Sequence, residues 1–149
     1  NFANICTSHT YEMKMETLKH VRAAGLRICS GGIIGMGETF EDRIDMAVSL
    51  SEAGADSIPV NALMPVPGTP YENLQPLSEA EILRTIAMFR YINPKADVRL
   101  AAGRKLMNGK GESVFESGAS ATITGNMLTT SGTTIKEDKE MFARLGRTF

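Results

Sequence analysis

The sequence predicts an α/β domain in which about four parallel strands alternate with helices. Three observations predict it: helix-capping signals recur along the chain, short apolar runs of strand length fall between them, and glycines stop the helical stretches. Strands and helices alternating at this spacing form βα units, whose strands lie parallel in one sheet.

Taken in order, Thr10 caps a helix that Gly25 stops, with Tyr11, Met15, Leu18 and Val21 along one face. The apolar run over 26–34 is the first strand. Thr39-Phe40-Glu41-Asp42 resembles a capping box with Asp in place of the usual Glu, and its helix carries Ile44, Ala47 and Val48 before Gly54 ends it. The second strand covers 57–63, although Pro59 counts against a regular central strand because it has no N–H for the ladder. Ser78-Glu79-Ala80-Glu81 is a full capping box, and the helix it opens buries Ile82, Ile86 and Phe89 and ends before Pro94. The third strand covers 98–101. A weaker helical stretch over 106–117, interrupted by Gly109 and Gly111, separates it from a fourth strand over 121–124. The last helix spans 134–145, with Met141, Phe142 and Leu145 inward and Gly146 at its end. No linker or change of composition divides the chain, so 1–149 is read as one domain. Four βα units suit half of a (β/α)8 barrel or a small doubly wound sheet, since a whole barrel takes eight units and about 250 residues.

Composition narrows the function classes. A length of 149 residues is enough for one hydrophobic core, and 42% hydrophobic with 22% charged residues is ordinary for a globular domain. A formal charge of −1 offers no basic field for nucleic acid or an anionic membrane surface. No stretch approaches the roughly 20 apolar residues of a spanning helix. The start lacks the charged and apolar regions of a signal peptide. Two cysteines, Cys6 and Cys29, make no disulfide framework, and a reducing cytoplasmic setting is expected. The chain opens on Asn1 without Met and reads as the interior of a longer polypeptide.

The most informative stretch is Cys29-Ser30-Gly31-Gly32-Ile33-Ile34-Gly35-Met36-Gly37-Glu38. Four glycines at a strand's end remove side chains where something approaches the backbone closely, and the next helix aims its free N–H groups at the same place. The pattern is neither a Walker A loop nor a clean Gly-x-Gly-x-x-Gly fingerprint, so a nucleotide-like ligand and a tight structural turn stand level. Cys29, beside these glycines, is a small buried hydrophobe on one reading and a thiolate ligand to a soft metal or cluster on the other. In Asp97-Val98-Arg99-Leu100-Ala101-Ala102-Gly103-Arg104, strand alternation sets Arg99 opposite Val98 and Leu100. An inward guanidinium is costly unless it pairs or coordinates something; the alternative is a salt bridge at the sheet's end. Arg104, past the strand, is read as solvated or anion-binding. Asn61 falls opposite Ile58, Val60 and Ala62, and its amide needs partners from loop backbone or from a ligand bearing an amide or urea. His9 and His20 lack metal spacing and are assigned to the surface; Cys6 has no motif around it, and the nine methionines are assigned to core filling.

These segments, with Thr10-Tyr11-Glu12, Asp56-Ser57-Ile58-Pro59-Val60-Asn61, Gly68-Thr69-Pro70 and Leu128-Thr129-Thr130, resemble the middle and end of the biotin synthase family in its own order across nearly the whole chain. That family belongs to the radical S-adenosylmethionine (SAM) enzymes. The resemblance implies the C-terminal half of a TIM-type barrel. It also implies sulfur insertion into dethiobiotin by way of a 5′-deoxyadenosyl radical, with a [4Fe–4S] cluster, a [2Fe–2S] cluster and SAM. By resemblance Cys29 and Arg99 are ligands of the [2Fe–2S] cluster, Asn61 contacts dethiobiotin, and Ile33 with the backbone near Ala62, Leu63 and Met64 lines the adenine site. Lys14 stands where relatives often carry an arginine for the SAM carboxylate, keeping the charge and losing the fork. An electron donor such as flavodoxin or ferredoxin and a homodimer of the intact enzyme are also implied. The Cys-x-x-x-Cys-x-x-Cys loop for the [4Fe–4S] cluster is absent from these 149 residues, so the chain alone is expected to be inactive, marginal and prone to associate through open sheet edges. The thiol at 29 and the guanidinium at 99 are expected to look into one cavity from neighbouring strands. The rival readings are another radical SAM barrel, a non-catalytic half-barrel that binds a partner, and an aldolase-like barrel with a phosphate site at Gly125-Asn126 and Thr129-Thr130.

Overall fold

The computed structural model describes residues 2–126 and 132–148. The segments Leu128-Thr129-Thr130 and Thr129-Thr130, named above for the resemblance and for a phosphate site, lie outside the described residues. The elements run α1 (Phe2–Ile5), α2 (Tyr11–Ala23), β1 (Gly32–Ile34), α3 (Phe40–Glu52), β2 (Ser57–Ala62), α4 (Glu79–Ile92), β3 (Asp97–Ala102), two 3₁₀ turns (Arg104–Leu106 and Asn108–Gly111), α5 (Ser113–Glu116), β4 (Ala121–Thr122) and α6 (Ile135–Arg144). The strands form one sheet in the order β1-β2-β3-β4, every pair parallel. This is the architecture of half a (β/α) barrel: one face of the sheet is covered by helices and the other is concave and open.

The caps at Thr10, Thr39 and Ser78 act as read: Thr10 accepts from Met13 N–H, and Thr39 and Ser78 close reciprocal capping boxes with Asp42 and Glu81. Thr134 closes a further box with Glu137 that was not read from the sequence. Each box satisfies backbone donors that have no partner inside the helix. The helix-facing side of the sheet supplies Ile34, Ile58, Val60, Val98 and Leu100, which pack with Ala47, Leu50, Ile82, Ile86 and Phe89 into one core.

Three expectations shift. The strand over 26–34 shortens to β1, preceded by one isolated bridge between Cys29 and Ser57. The cause is Pro59: Ser57 N–H bonds the Ile28 carbonyl, but two residues on Pro59 has no N–H for the next rung toward β1. The inward face of α3 is Arg43, Ala47 and Leu50: Ala47 is buried as read and Ile44 half-buried, but Val48 is exposed. No residue of α2 is fully buried; its apolar stripe of Met15, Leu18 and Val21 is only half covered and Tyr11 is exposed. The helical stretch over 106–117 is broken, as its glycines implied, with Gly109 and Lys110 in left-handed conformation between the turns and α5.

Candidate functional site at the concave face

The concave face carries the side chains that alternate with the core. Along β2 these are Ser57, Pro59 and Asn61, all half-buried, and along β3 Arg99 alternates with buried Val98 and Leu100. Register sets Pro59 beside Arg99, and Arg99 beside Ala121 of β4. From that position Arg99 crosses β2, and its Nη2 donates to Cys29 Sγ at 3.1 Å. The two groups therefore meet, but not from neighbouring strands, since β2 lies between them. Cys29 is exposed, which removes the buried-hydrophobe reading, and it precedes the regular part of β1. Arg99 Nε is buried with no hydrogen-bond partner, the one such side-chain atom among the described residues. No salt bridge at the sheet's end relieves it among the described residues.

Asn61 also faces the concave side. Its Nδ2 donates to the Gly32 carbonyl of β1 at 3.3 Å, so part of its capacity is spent on backbone of the adjacent strand. Ile33, opposite Asn61 in register, is 49% exposed, which is unusual for a strand isoleucine. Ala62 points the other way and is buried beneath Gly103; a Cβ on Gly103 would lie 2.5 Å from that of Ala62. Only backbone is thus offered at 62. Leu63 and Met64 are half-buried, and the Leu63 N–H is bonded to the Ile34 carbonyl at 2.9 Å. Lys14 lies apart on α2, its Nζ 5.8 Å from the centre of the Phe2 ring. It shares with Gly31, Gly32, Ile33 and Glu38 a cleft of about 760 Å³ along the open edge of β1.

Two features escaped the sequence. Glu38, read only as the end of the glycine-rich pattern, accepts from the N–H groups of Gly35 and Met36 at 2.7 Å each and from Arg43 Nε at 2.7 Å. Arg104 is neither solvated nor anion-binding: it is buried and paired with buried Asp138, Nη2 to Oδ1 2.7 Å, with further bonds to Thr133 Oγ1 and the Lys110 carbonyl. An acidic residue one turn into the last helix was the available signal, but it is 34 residues away in sequence. His9 and His20 are exposed as expected. Cys6 has neighbours that no motif announced: its thiol is 3.5 Å from Ser8 Oγ and 3.4 Å from His9 Nδ1, and hydrogen bonding from Ser8 leads the effects that lower its pKa.

Among the described residues no group of three or more His, Cys, Asp or Glu is placed to hold a metal ion. The thiol and guanidinium at the concave face fit a cluster's edge in donor chemistry, because a soft sulfur ligand stands beside a buried nitrogen that lacks a partner. They are two donors where a [2Fe–2S] cluster takes four. Among the described residues no helix is long and apolar enough to cross a membrane.

A sheet of four parallel strands alternating with helices is the fold of half a (β/α) barrel. The crystal structure of a putative deoxyribose-phosphate aldolase from Coccidioides immitis shares this fold at TM-score 0.51 and 10% identity, covering 95% of this chain and 64% of that one. The chain belongs to the family described as the Biotin and Thiamin Synthesis associated domain, whose pattern matches residues 59–148. Among curated proteins it is 62% identical over 146 residues to the biotin synthase of Alkaliphilus metalliredigens and 59% identical over 146 residues to that of Clostridium beijerinckii. The biotin synthase of Akkermansia muciniphila is 54% identical. Each alignment covers 98% of this chain and 46% of the relative, so the chain spans about half the length of the curated relatives it matches.

Proposed function

We propose that this chain forms the C-terminal half-barrel of a biotin synthase, a radical SAM sulfurtransferase that converts dethiobiotin to biotin. The observation that carries the proposal is Arg99 reaching Cys29 across β2 with Nε buried and unpartnered. Cys29 and Arg99 hold one side of the [2Fe–2S] cluster, and its other ligands, like those of the [4Fe–4S] cluster, come from outside these residues. Bound clusters and SAM supply the electron, the 5′-deoxyadenosyl radical and the sulfur atom. The chain's own residues then bind and orient. Asn61 presents its amide to the cyclic urea of dethiobiotin. Ile33 offers an exposed apolar surface to adenine, and backbone at Ala62, Leu63 and Met64 offers it hydrogen bonds. Lys14 meets the SAM carboxylate as a point charge. The intact enzyme works in the cytoplasm as a homodimer with flavodoxin or ferredoxin as electron donor, and the 149-residue chain alone is inactive because its two cysteines cannot hold a [4Fe–4S] cluster.

The test is anaerobic reconstitution of the full-length enzyme beside its Cys29→Ala and Arg99→Met variants. Loss of the [2Fe–2S] absorption is expected for Cys29→Ala. An unchanged spectrum with full biotin yield in that variant removes Cys29 from the site and overturns the assignment.

A further inference from the structure

We infer that Arg43 is a positioning residue for adenine binding, acting through Glu38 on the peptide that holds the end of β2; the inference rests on the proposed SAM site. The contacts form one continuous chain. Thr85, fully buried on α4, donates to the Glu81 carbonyl at 2.8 Å and accepts from Arg43 Nη1 at 3.3 Å. Arg43, buried on α3, donates from Nε to Glu38 Oε1 at 2.7 Å. Glu38 spends the same carboxylate on the N–H groups of Gly35 and Met36. A trans peptide points its N–H and C=O in opposite directions. The peptide joining Ile34 to Gly35 is therefore gripped at both ends: its N–H by Glu38, and its C=O by the N–H of Leu63 at 2.9 Å.

That second grip is what matters for the ligand. Leu63 is the middle residue of the segment assigned to adenine, and Ile33, the apolar wall of the same site, is one residue before the gripped peptide. Gly35 has φ +90°, a conformation open mainly to glycine, so this turn has little intrinsic preference for its observed shape and takes it from outside contacts. The guanidinium of Arg43 is held at two points of its fork, Nε on Glu38 and Nη1 on Thr85, so it meets the carboxylate from one direction where an ammonium would not. The nearly dry surroundings of the pair, with side chains 7% and 10% exposed, keep water from substituting for either partner.

Arg43→Lys in the reconstituted full-length enzyme tests this. It keeps the charge that neutralises Glu38 and loses the fork. Affinity for SAM and for 5′-deoxyadenosine is expected to fall about tenfold, a magnitude usual for a displaced positioning contact. Methionine affinity is expected to stay within about twofold and [2Fe–2S] absorption to be unchanged, since neither depends on adenine placement. Equal losses for methionine and 5′-deoxyadenosine assign Arg43 to the scaffold alone and overturn the inference. Unchanged affinities in the variant beside normal SAM binding by the parent enzyme overturn it too, and leave the proposed function standing. A parent enzyme that does not bind SAM overturns both. Should Arg43→Lys fail to fold, Thr85→Val removes only the hydroxyl that steadies Arg43, and the same adenosine-selective loss is expected at about two- to threefold; its absence counts against the inference.

Discussion

Arg99 lies across an entire strand to bring Nη2 within 3.1 Å of Cys29 Sγ, while its Nε stays buried and unpaired. Pro59 sits beside Arg99 in register, and Gly31 lies against the Pro59 carbonyl. A guanidinium with an unmet buried donor does not stabilise a fold. Its placement is therefore expected to add little to the stability of the fold.

A stability measurement follows from that. Arg99→Met keeps the length and apolar stem, removes the charge, and leaves no orphaned donor. Stability of the full-length enzyme, measured by chemical denaturation without added iron, is expected to stay within about 1 kcal/mol of the parent or to rise. A loss beyond about 3 kcal/mol would mean that Arg99 supports the fold through contacts of its own.

Glycines in the sequence look alike but differ in what surrounds them. A Cβ on Gly31 would stand 2.0 Å from the Pro59 carbonyl oxygen, which is backbone and cannot rotate away. Gly31→Ala is therefore expected to push β1 off β2 and cost more than about 2 kcal/mol. Gly25, the stop of α2, has φ +73° with nothing within 4 Å, so Gly25→Ala is expected to cost only the left-handed penalty of about 1–2 kcal/mol. Thermal unfolding of the two variants side by side checks the order, and the reverse order refutes it.

The contrast between local and distant information explains what the sequence made legible. Capping boxes at Thr39 and Ser78 are written within four residues, and both form. The inward phase of Ile82, Ile86 and Phe89 is equally local, as is the alternation that turns Asn61 away from the core. The half-barrel needed the family resemblance, because four βα units permit two sheet topologies. What stayed hidden depends on residues far apart in the chain. Arg43 drew no reading from the sequence because Glu38 and Thr85 are brought to it by the turn before α3 and by the packing of α3 on α4. Arg104 looked solvated because Asp138 is supplied by the last helix. The premature end of the first strand hung on a single missing N–H at Pro59 of its partner strand.

An exposed pair reports on electrostatics at the C-terminal helix. Glu137 closes the α6 capping box and also meets Lys110 Nζ. The Lys110 contact, followed by the N–H and hydroxyl of Thr134, lowers its pKa from 4.5 to about 2. Because the folded value is depressed, the charged carboxylate persists well below the range where an unfolded glutamate protonates. Carboxyl-carbon NMR of the protein is expected to show Glu137 titrating near 2, and Lys110→Ala to raise its midpoint. An ordinary midpoint in the parent protein would dismiss the contact.

The buried pair beneath that helix carries the sharpest pH dependence. Asp138 is 1% exposed and receives Arg104 through two nitrogens, Nη2 at 2.7 Å and Nη1 at 3.2 Å, with Thr133 adding a third bond at 2.9 Å. Burial pushes its pKa up, but hydrogen bonds from Arg104, Thr124 and Thr133 outweigh that, and the net shift is below 3.8. A depressed folded value means the stabilisation is fully present above the unfolded pKa and disappears as pH falls through the folded one. Asp138→Asn is expected to cost about 3–5 kcal/mol at neutral pH, because it leaves Arg104 buried without a counter-charge. That gap should narrow below about pH 4, where the unfolded chain begins to protonate this carboxylate while the folded protein still holds it charged. Replacing both partners, Arg104→Met with Asp138→Leu, leaves no stranded charge and is expected to recover most of the loss. Denaturation of the three proteins from pH 7 to pH 3 decides the matter: a gap that does not change with pH, or a double variant as unstable as the single one, would show that the pair holds α6 by packing and not by charge.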